Sequence, residues 1–283
     1  MQAISKVKKD IEFNKNFSGL LEVLKNIAVA QFHILEKRLK VAENFDVVLD
    51  EFFHSFDPQS LQHPFLEERV GPSGVVAVTS DQGLLGGMNM RVVHTAVGFL
   101  KSGQDELIVI GEKGKFYARD FIKGSFTAFP GIKDHEQYAQ AMELRNYLFQ
   151  GAIAHKYGML RVVYPRALSL VNQRVEIVTL LPWSAPTKEE PVHHINPSET
   201  IFESSLAGIL EYLIFIFMGQ KLDEIFSLSR LAELAARYIH LEESSQRIQQ
   251  MNQKLKLRYF RLRHEMIDQN MRELFSSRII YAG

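Results

Sequence analysis

From Gln220 to Ala282 small or apolar side chains return at intervals of 3, 4 and 7 residues or their sums, through Leu228, Leu231, Ala235, Tyr238, Ser245, Ile248, Leu255, Tyr259, Leu262 and Met266. That is the heptad rhythm of a helix burying a narrow seam against another helix. The stretch holds neither proline nor glycine, so nothing in it breaks a helix. The other end of the chain repeats the pattern. Ile4, Val7, Ile11, Phe17 or Ser18, Leu21, Leu24 or Lys25, Ala28, Phe32, Leu35 and Leu39 mark a helix running to about Phe56. A helix of ~50 residues is roughly 75 Å long, so it must project or pair with an equal. Pairing the two terminal helices antiparallel hides both seams.

All nine prolines lie between Pro58 and Pro197, and the pattern there changes. Gly74–Ser80 and Glu106–Gly111 are short continuous apolar runs, the kind that a parallel sheet buries on both faces. Phe126–Phe129, Leu160–Tyr164 and Val175–Leu181 read as further strands, the last two as a hairpin joined across Pro165–Asn172. Leu85–Lys101, Lys113–Asp120 and His135–Ala154 read as helices between them. Pro182–Pro197 reads as an irregular linker, after which Ser198 is placed to cap a new helix. The fold class expected is α/β: a long antiparallel coiled coil of N- and C-terminal helices with an inserted small Rossmann-like α/β domain. The boundaries expected are 1–57 and 210–283 for the coiled-coil shaft and 70–209 for the α/β domain.

Composition narrows the function. Lys plus Arg and Asp plus Glu both number 33, so no net charge draws the chain to nucleic acid or an anionic membrane. Without cysteine there is no disulfide, thiol catalysis or thiolate metal site. The most apolar run, Ile209–Met218, is half of the ~20 residues that cross a bilayer. No signal-peptide pattern opens the sequence, and the expected setting is cytosolic.

Candidate chemistry is sparse. Ser80–Asn89 lies between a strand and a helix, where dinucleotide sites place their glycines, but Gly83, Gly86 and Gly87 form neither the Rossmann nor the P-loop pattern. A tight turn that lets a helix approach the sheet is the favoured reading, followed by a contact surface for a partner, both ahead of nucleotide binding. Arg247, Lys254, Lys256, Arg258, Arg261 and Arg263 make a basic stretch, readable as a solvated face or as a dock for an acidic protein. His193 and His194 sit in the Pro-rich segment without further ligands at fitting spacing. No metal site and no catalytic constellation can be assembled.

Together these residues resemble the gamma subunit of the F-type ATP synthase, the rotary central stalk, over essentially the whole chain. Ser80–Asn89 is similar to the family's Ser-Asp-x-Gly-Leu-x-Gly-Gly-x-Asn segment, carried here by Ser80, Asp81, Gly83, Gly86, Gly87 and Asn89. Ile110–Lys115 resembles the stretch after the second strand. Ile11, Lys15 and Asn16, then Ala232–Arg237 and Tyr259–His264, match motifs of the first and last helices. Departures are Gln82 for the usual Arg, Gly19–Leu21 in a Thr- and Lys-rich stretch, His264 for Gln, Asn270 for Glu, the ending Phe275–Gly283 and the neutral net charge. They point to a divergent or alternative rotary ATPase.

The resemblance implies a non-catalytic subunit without a cofactor. Its partners are the alpha and beta ATPase subunits, the epsilon subunit and the membrane rotor ring, with no nucleic acid and no direct bilayer insertion. It would couple rotation to ATP synthesis or hydrolysis and to proton or sodium transport, peripherally at the cytoplasmic face of the inner or cell membrane. It also implies coupling contacts at Leu24, Lys25, Arg237, Arg261, Arg263 and His264. The competing reading is an α/β phosphate- or nucleotide-binding enzyme with helical oligomerisation arms.

Overall fold

The computed structural model describes residues 2–42, 65–66, 69, 71–122, 124–183 and 205–281. In chain order these form α1 (Gln2–Ala42), β1 (Ser73–Val78), α2 (Met88–Val97), β2 (Glu106–Ile110), α3 (Glu112–Phe121), β3 (Thr127–Phe129), α4 (Gln137–Ile153), β4 (Met159–Ser169), β5 (Asn172–Leu181) and α5 (Leu206–Tyr281). The expected far end of the first helix, the linker beyond Trp183, Ser198, His193 and His194 lie outside the described residues.

The chain divides into two compact units, residues 29–237 and residues 1–28 with 238–283. The division differs from the expected shaft of 1–57 and 210–283. Leu210, Ile214, Met218, Leu222, Ile225 and Phe226 are buried in the core of the sheet unit, so this part of α5 packs as a domain helix.

In the sheet unit the strand order is β3-β2-β1-β4-β5, parallel except for the last pair. Alternation in β1 explains the layering. Val75 and Ala77 face α2 and α3 through Val92, Val93, Ala96 and Ala118. Val76 and Val78 face α4 and α5 through Leu144, Leu148, Ile214 and Met218. All four β1 residues are fully buried. Each such Val, Leu or Ile contributes roughly 1.5–3 kcal/mol of transfer free energy, offset by lost entropy.

The hairpin differs from its expected form. β4 and β5 run on to a two-residue turn at Leu170 and Val171, with Pro165 inside β4 opposite Val175. Proline is tolerated there because pairing to β1 stops at Val163, leaving β4 one neighbour beyond that point.

At the base of the sheet Glu106 accepts hydrogen bonds from Thr127 Oγ1 (2.7 Å), Tyr147 OH (2.6 Å) and Tyr157 OH (2.5 Å), and pairs with Lys156 Nζ at 2.7 Å. Burial alone would raise its carboxyl. The Lys156, Tyr147, Tyr157 and Thr127 hydrogen bonds outweigh burial and hold the pKa at about 2.

The second unit is a two-helix coil. In α1 the inward positions are Ile4, Val7, Ile11, Asn14, Ser18, Leu21, Lys25 and Ala28, and the residues between Val7 and Ala28 that separate them are exposed. In α5 they are Leu241, Ser245, Ile248, Asn252, Leu255, Tyr259, Leu262 and Met266. The two open alternatives resolve: Ser18 and Lys25 turn inward, while Phe17 and Leu24 turn outward.

Lys25 Nζ meets Glu242 Oε2 at 2.9 Å and Glu22 Oε2 at 2.8 Å. Glu22 and Glu242 raise the Lys25 pKa, and Lys25 in turn depresses that of Glu242. The inward positions run back from this pin on α1 and forward on α5, so the helices are antiparallel. Counting away from the pin brings Asn14 level with Asn252. Asn14 is buried, and the buried Oδ1 of Asn252 has no hydrogen-bond partner. A polar layer of this kind costs stability and favours one register.

Candidate functional site

The Ser80–Asn89 segment follows β1 and closes on itself. Asn89 Nδ2 donates to Ser80 Oγ at 2.9 Å, the Ser80 amide donates to Asn89 Oδ1 at 3.3 Å, and the Ser80 hydroxyl donates to the Gln82 carbonyl at 2.9 Å. Asn89 is buried, so this pairing satisfies groups that water cannot reach.

The same segment also caps a helix from a distance. Asp81 Oδ1 accepts the Glu112 amide of α3 at 2.9 Å, and the Lys113 amide donates to the Ser80 carbonyl at 3.0 Å. A carboxylate at a helix N-terminus satisfies an orphan N–H and opposes the positive end of the dipole. Thr79 Oγ1 donates to the Ile110 carbonyl at 2.5 Å. The two family-like segments, 80–89 and 110–115, are therefore parts of one lock.

The glycines of Ser80–Asn89 do not bring a helix close to the sheet. Gly86 is needed for its φ of 57°, and a Cβ at Gly83 or Gly87 would meet nothing closer than ordinary contact. Close approach falls instead to Gly114 and Gly131. A Cβ at Gly114 would lie 2.2 Å from Thr79 Oγ1, and one at Gly131 would lie 2.3 Å from Asp81 Cγ.

The outer side of this lock grips α5. Leu85 and Met88 pack on Ala232 and Ala236, whose small side chains leave room for them. Glu233, nearly buried, accepts Arg230 Nη1 at 2.7 Å and Arg237 Nη2 at 2.6 Å. Arg230 Nε continues to Asp134 Oδ1 at 2.9 Å, and Arg237 Nη2 to Gln82 Oε1 at 2.9 Å. Burial works against the Arg230 cation, but Glu233 and Asp134 more than offset it and raise its pKa. Nearby, Gln137 Nε2 donates to Ser227 Oγ at 2.6 Å and Asp223 Oδ1 at 3.0 Å. One polar chain thus ties the loop after β1 and the segment after β3 to successive turns of α5.

A crevice of about 190 Å³ remains between the carboxyl ends of β1 and β4, lined by Ser80, Asp81, Lys133, Ser229, Arg230 and Glu233. Open α/β sheets bind ligands at such a switch point. Here, however, Ser80, Asp81, Arg230 and Glu233 already have partners inside the chain.

The family model described as ATP synthase matches residues 3–278. The chain belongs to the ATP synthase family. Among relatives, the ATP synthase gamma chain of Mycoplasmopsis pulmonis is 25% identical over 292 residues, covering 99% of this chain and 100% of that one. The gamma chain of Clostridium acetobutylicum is 29% identical over 201 residues, covering 70% of this chain and 69% of its own. The same fold occurs in a rotor chain of the Euglena gracilis mitochondrial ATP synthase (TM-score 0.68, 16% identity), over 94% of this chain and 99% of that one.

The six residues implied by resemblance as coupling contacts fall in different surroundings. Leu24, Arg261, Arg263 and His264 are exposed on the coil. Lys25 lies in the seam with Glu242, and Arg237 is drawn to Glu233 and Gln82. The six basic residues from Arg247 to Arg263 all face solvent. Glu233 lies in the Ala232–Arg237 motif without a role assigned to it there, and Arg230, Asp134, Asn14 and Asn252 are not among the sequence candidates. The Arg-x-x-Glu-x-x-x-Arg spacing and two Asn at seam positions are the signals that carry them.

Proposed function

We propose that this chain is the central-stalk, gamma-type subunit of a rotary F-type ATPase and has no catalytic residues of its own. The observation that carries the reading is the chemical two-sidedness of the coil. Outward from α1 stand Phe13, Phe17, Leu20, Val23, Leu24 and Ile27, whereas the basic residues from Arg247 to Arg263 stand outward from α5. A shaft drives a ring only if its faces differ. Each ring subunit then meets a different surface in turn, and its nucleotide affinity follows the surface it meets.

The partners are alpha and beta ATPase subunits around the coil, with an epsilon subunit and the membrane rotor ring at the α/β domain. Leu24, Arg261, Arg263 and His264 serve as outward coupling contacts. Arg pairs acidic segments well through its planar fork. Lys25 and Arg237 act first inside the chain, Lys25 pinning the coil and Arg237 holding the loop after β1 to α5. The complex carries protons or sodium ions, and this subunit works peripherally, on the cytoplasmic side. No described helix is long and apolar enough to cross a membrane.

An affinity pull-down of the tagged chain from its host tests the reading. Expected are alpha-like and beta-like ATPase subunits, with ATPase activity lost when the chain is cut after Met266. A lone homo-oligomer that binds nucleotide at Asp81–Gly87 overturns it in favour of an α/β enzyme.

A further inference from the structure

The polar partners of α5 inside the sheet unit fall on one line. Asp223, Ser227, Arg230 and Arg237 recur at spacings of 4, 3 and 7, so they share a stripe of the helix that is roughly 21 Å long. Each is held by a side chain that follows a strand of the sheet. Gln137 Nε2 donates to both Asp223 Oδ1 and Ser227 Oγ. Asp134 accepts Arg230 twice, from Nε at 2.9 Å and from Nη2 at 3.4 Å, and Gln82 Oε1 accepts Arg237. Glu233, between the two arginines, accepts from both and sets the direction in which each points.

The seat for this stripe is braced. Asp81, next to Gln82, lies so close to Gly131 that a Cβ there would be 2.3 Å from its Cγ. The Gly131 carbonyl accepts Gln140 Nε2 at 3.0 Å, and Gln140 Oε1 accepts the Lys133 amide at 2.9 Å. The loop after β1 and the segment after β3 thereby rest on each other and on α4.

Direction separates these contacts from the apolar packing beside them. Leu85 and Met88 keep most of their burial on Ala232 and Ala236 if the helix turns a little, because burial has no preferred angle. A hydrogen bond fails once it is stretched by about 1 Å. A side chain ~5 Å from the axis moves roughly 3.5 Å when the helix turns by about 40°. The stripe therefore resists rotation of α5 about its own axis, and α5 runs on past Arg237 to Tyr281 as one helix.

We infer that the stripe from Asp223 to Arg237 is the torque joint of the shaft: it keys α5 into the α/β domain, so that domain and helix turn as one. The inference rests on the shaft reading, and it gives Gln82, Asp134 and Gln137 a positioning role.

The test uses the assembled complex and a variant that leaves α5 unchanged, Gln82→Ala with Asp134→Ala and Gln137→Ala. ATP-driven ion pumping is expected to fall roughly tenfold relative to ATP hydrolysis, with the subunits still together. Because the chain contains no cysteine, the joint can be remade covalently. In a chain with Gln82→Ala, Asp134→Ala, Gln137→Cys and Ser227→Cys, a short bismaleimide across the two thiols is expected to restore the wild-type ratio. Without the cross-link the loss should remain.

Wild-type pumping per ATP in the triple alanine variant overturns the inference, since apolar packing then carries the load unaided. A loss that the cross-link leaves in place also overturns it, because the three side chains then serve folding and not torque. A further arm needs no weakened chain. The Gln137→Cys and Ser227→Cys cross-link in an otherwise wild-type chain should leave coupling intact, and a stalled motor would show that this contact has to open, against the inference. If the wild-type chain recovers no ring subunits, the shaft reading itself falls and takes this inference with it.

Discussion

The sheet unit and the coil spend their apolar residues in opposite ways. In the sheet unit Val75–Val78, Leu107–Ile110 and the facing sides of four helices are sealed from water, and the polar groups at strand ends find partners within the chain. In the coil one residue in three or four is turned inward, several of those are polar, and Phe13, Leu20, Leu257 and Phe260 stand exposed. The sheet unit holds itself together. The coil is only half of a packed object and takes the rest of its burial from what surrounds it. For a moving part this division makes sense: the domain must stay folded through every rotation, while the coil's surface has to be free to change contacts.

The sharpest way to break the comparison is a pair of truncations. Leu148→Ala in the sheet core should cost about 3 kcal/mol in urea denaturation of the isolated chain. Ile11→Ala in the coil should cost about 1 kcal/mol or less and leave the sheet transition where it was. Equal costs would mean that the coil is as self-sufficient as the domain.

Glu106→Gln comes next. The wild-type carboxylate titrates at about 2 when folded and near its ordinary 4.5 when unfolded. Its stabilisation is therefore complete above pH 4.5 and drains away as the pH falls toward 2. The substitution should cost about 3 kcal/mol at neutral pH and flatten that acid limb in stability measured against pH. An unchanged acid limb would place the proton uptake elsewhere.

Glu233→Ala should cost about 2 kcal/mol by removing the buried acceptor that Arg230 and Arg237 share, leaving them Asp134 and Gln82. It should also raise amide exchange across Ser80–Asn89, because Arg237 then holds Gln82 alone. Protection unchanged in that segment would show that Leu85 and Met88 grip α5 unaided. The smallest effect belongs to Asn14→Leu with Asn252→Leu. The coil should gain about 1 kcal/mol while losing its single register, read as two or more distances between spin labels on α1 and α5.

Much of this was legible before the structure. Heptads at both ends specified the coil, and continuous valine and isoleucine runs specified β1 and β2, because a strand buried on both faces has no polar side to reveal. Local pattern could not settle which of Phe17 or Ser18 faces inward. The more apolar residue of each pair turned outward, against the usual rule. Pro165 read as a loop because proline chemistry is local, whereas its tolerance depends on where β1 stops. The Ser80–Asn89 segment was visible as a motif, but its work was not. Asp81 caps a helix that begins at Glu112, and Gln82 meets Arg237, distances along the chain at which sequence patterns carry no signal.

The pin at Lys25–Glu242 and the level pair Asn14 and Asn252 bear on timing. In a helix each residue turns the face by about 100°. A ring of three alternating pairs presents its stations roughly 120° apart. Sliding one helix of the coil by a single residue would therefore misplace its surface by nearly a whole station, and the motor would deliver its stroke to the wrong subunit. Buried Asn14, and Asn252 with its unpartnered Oδ1, are costly as packing, and polar seam positions of this kind favour one register over a slid one.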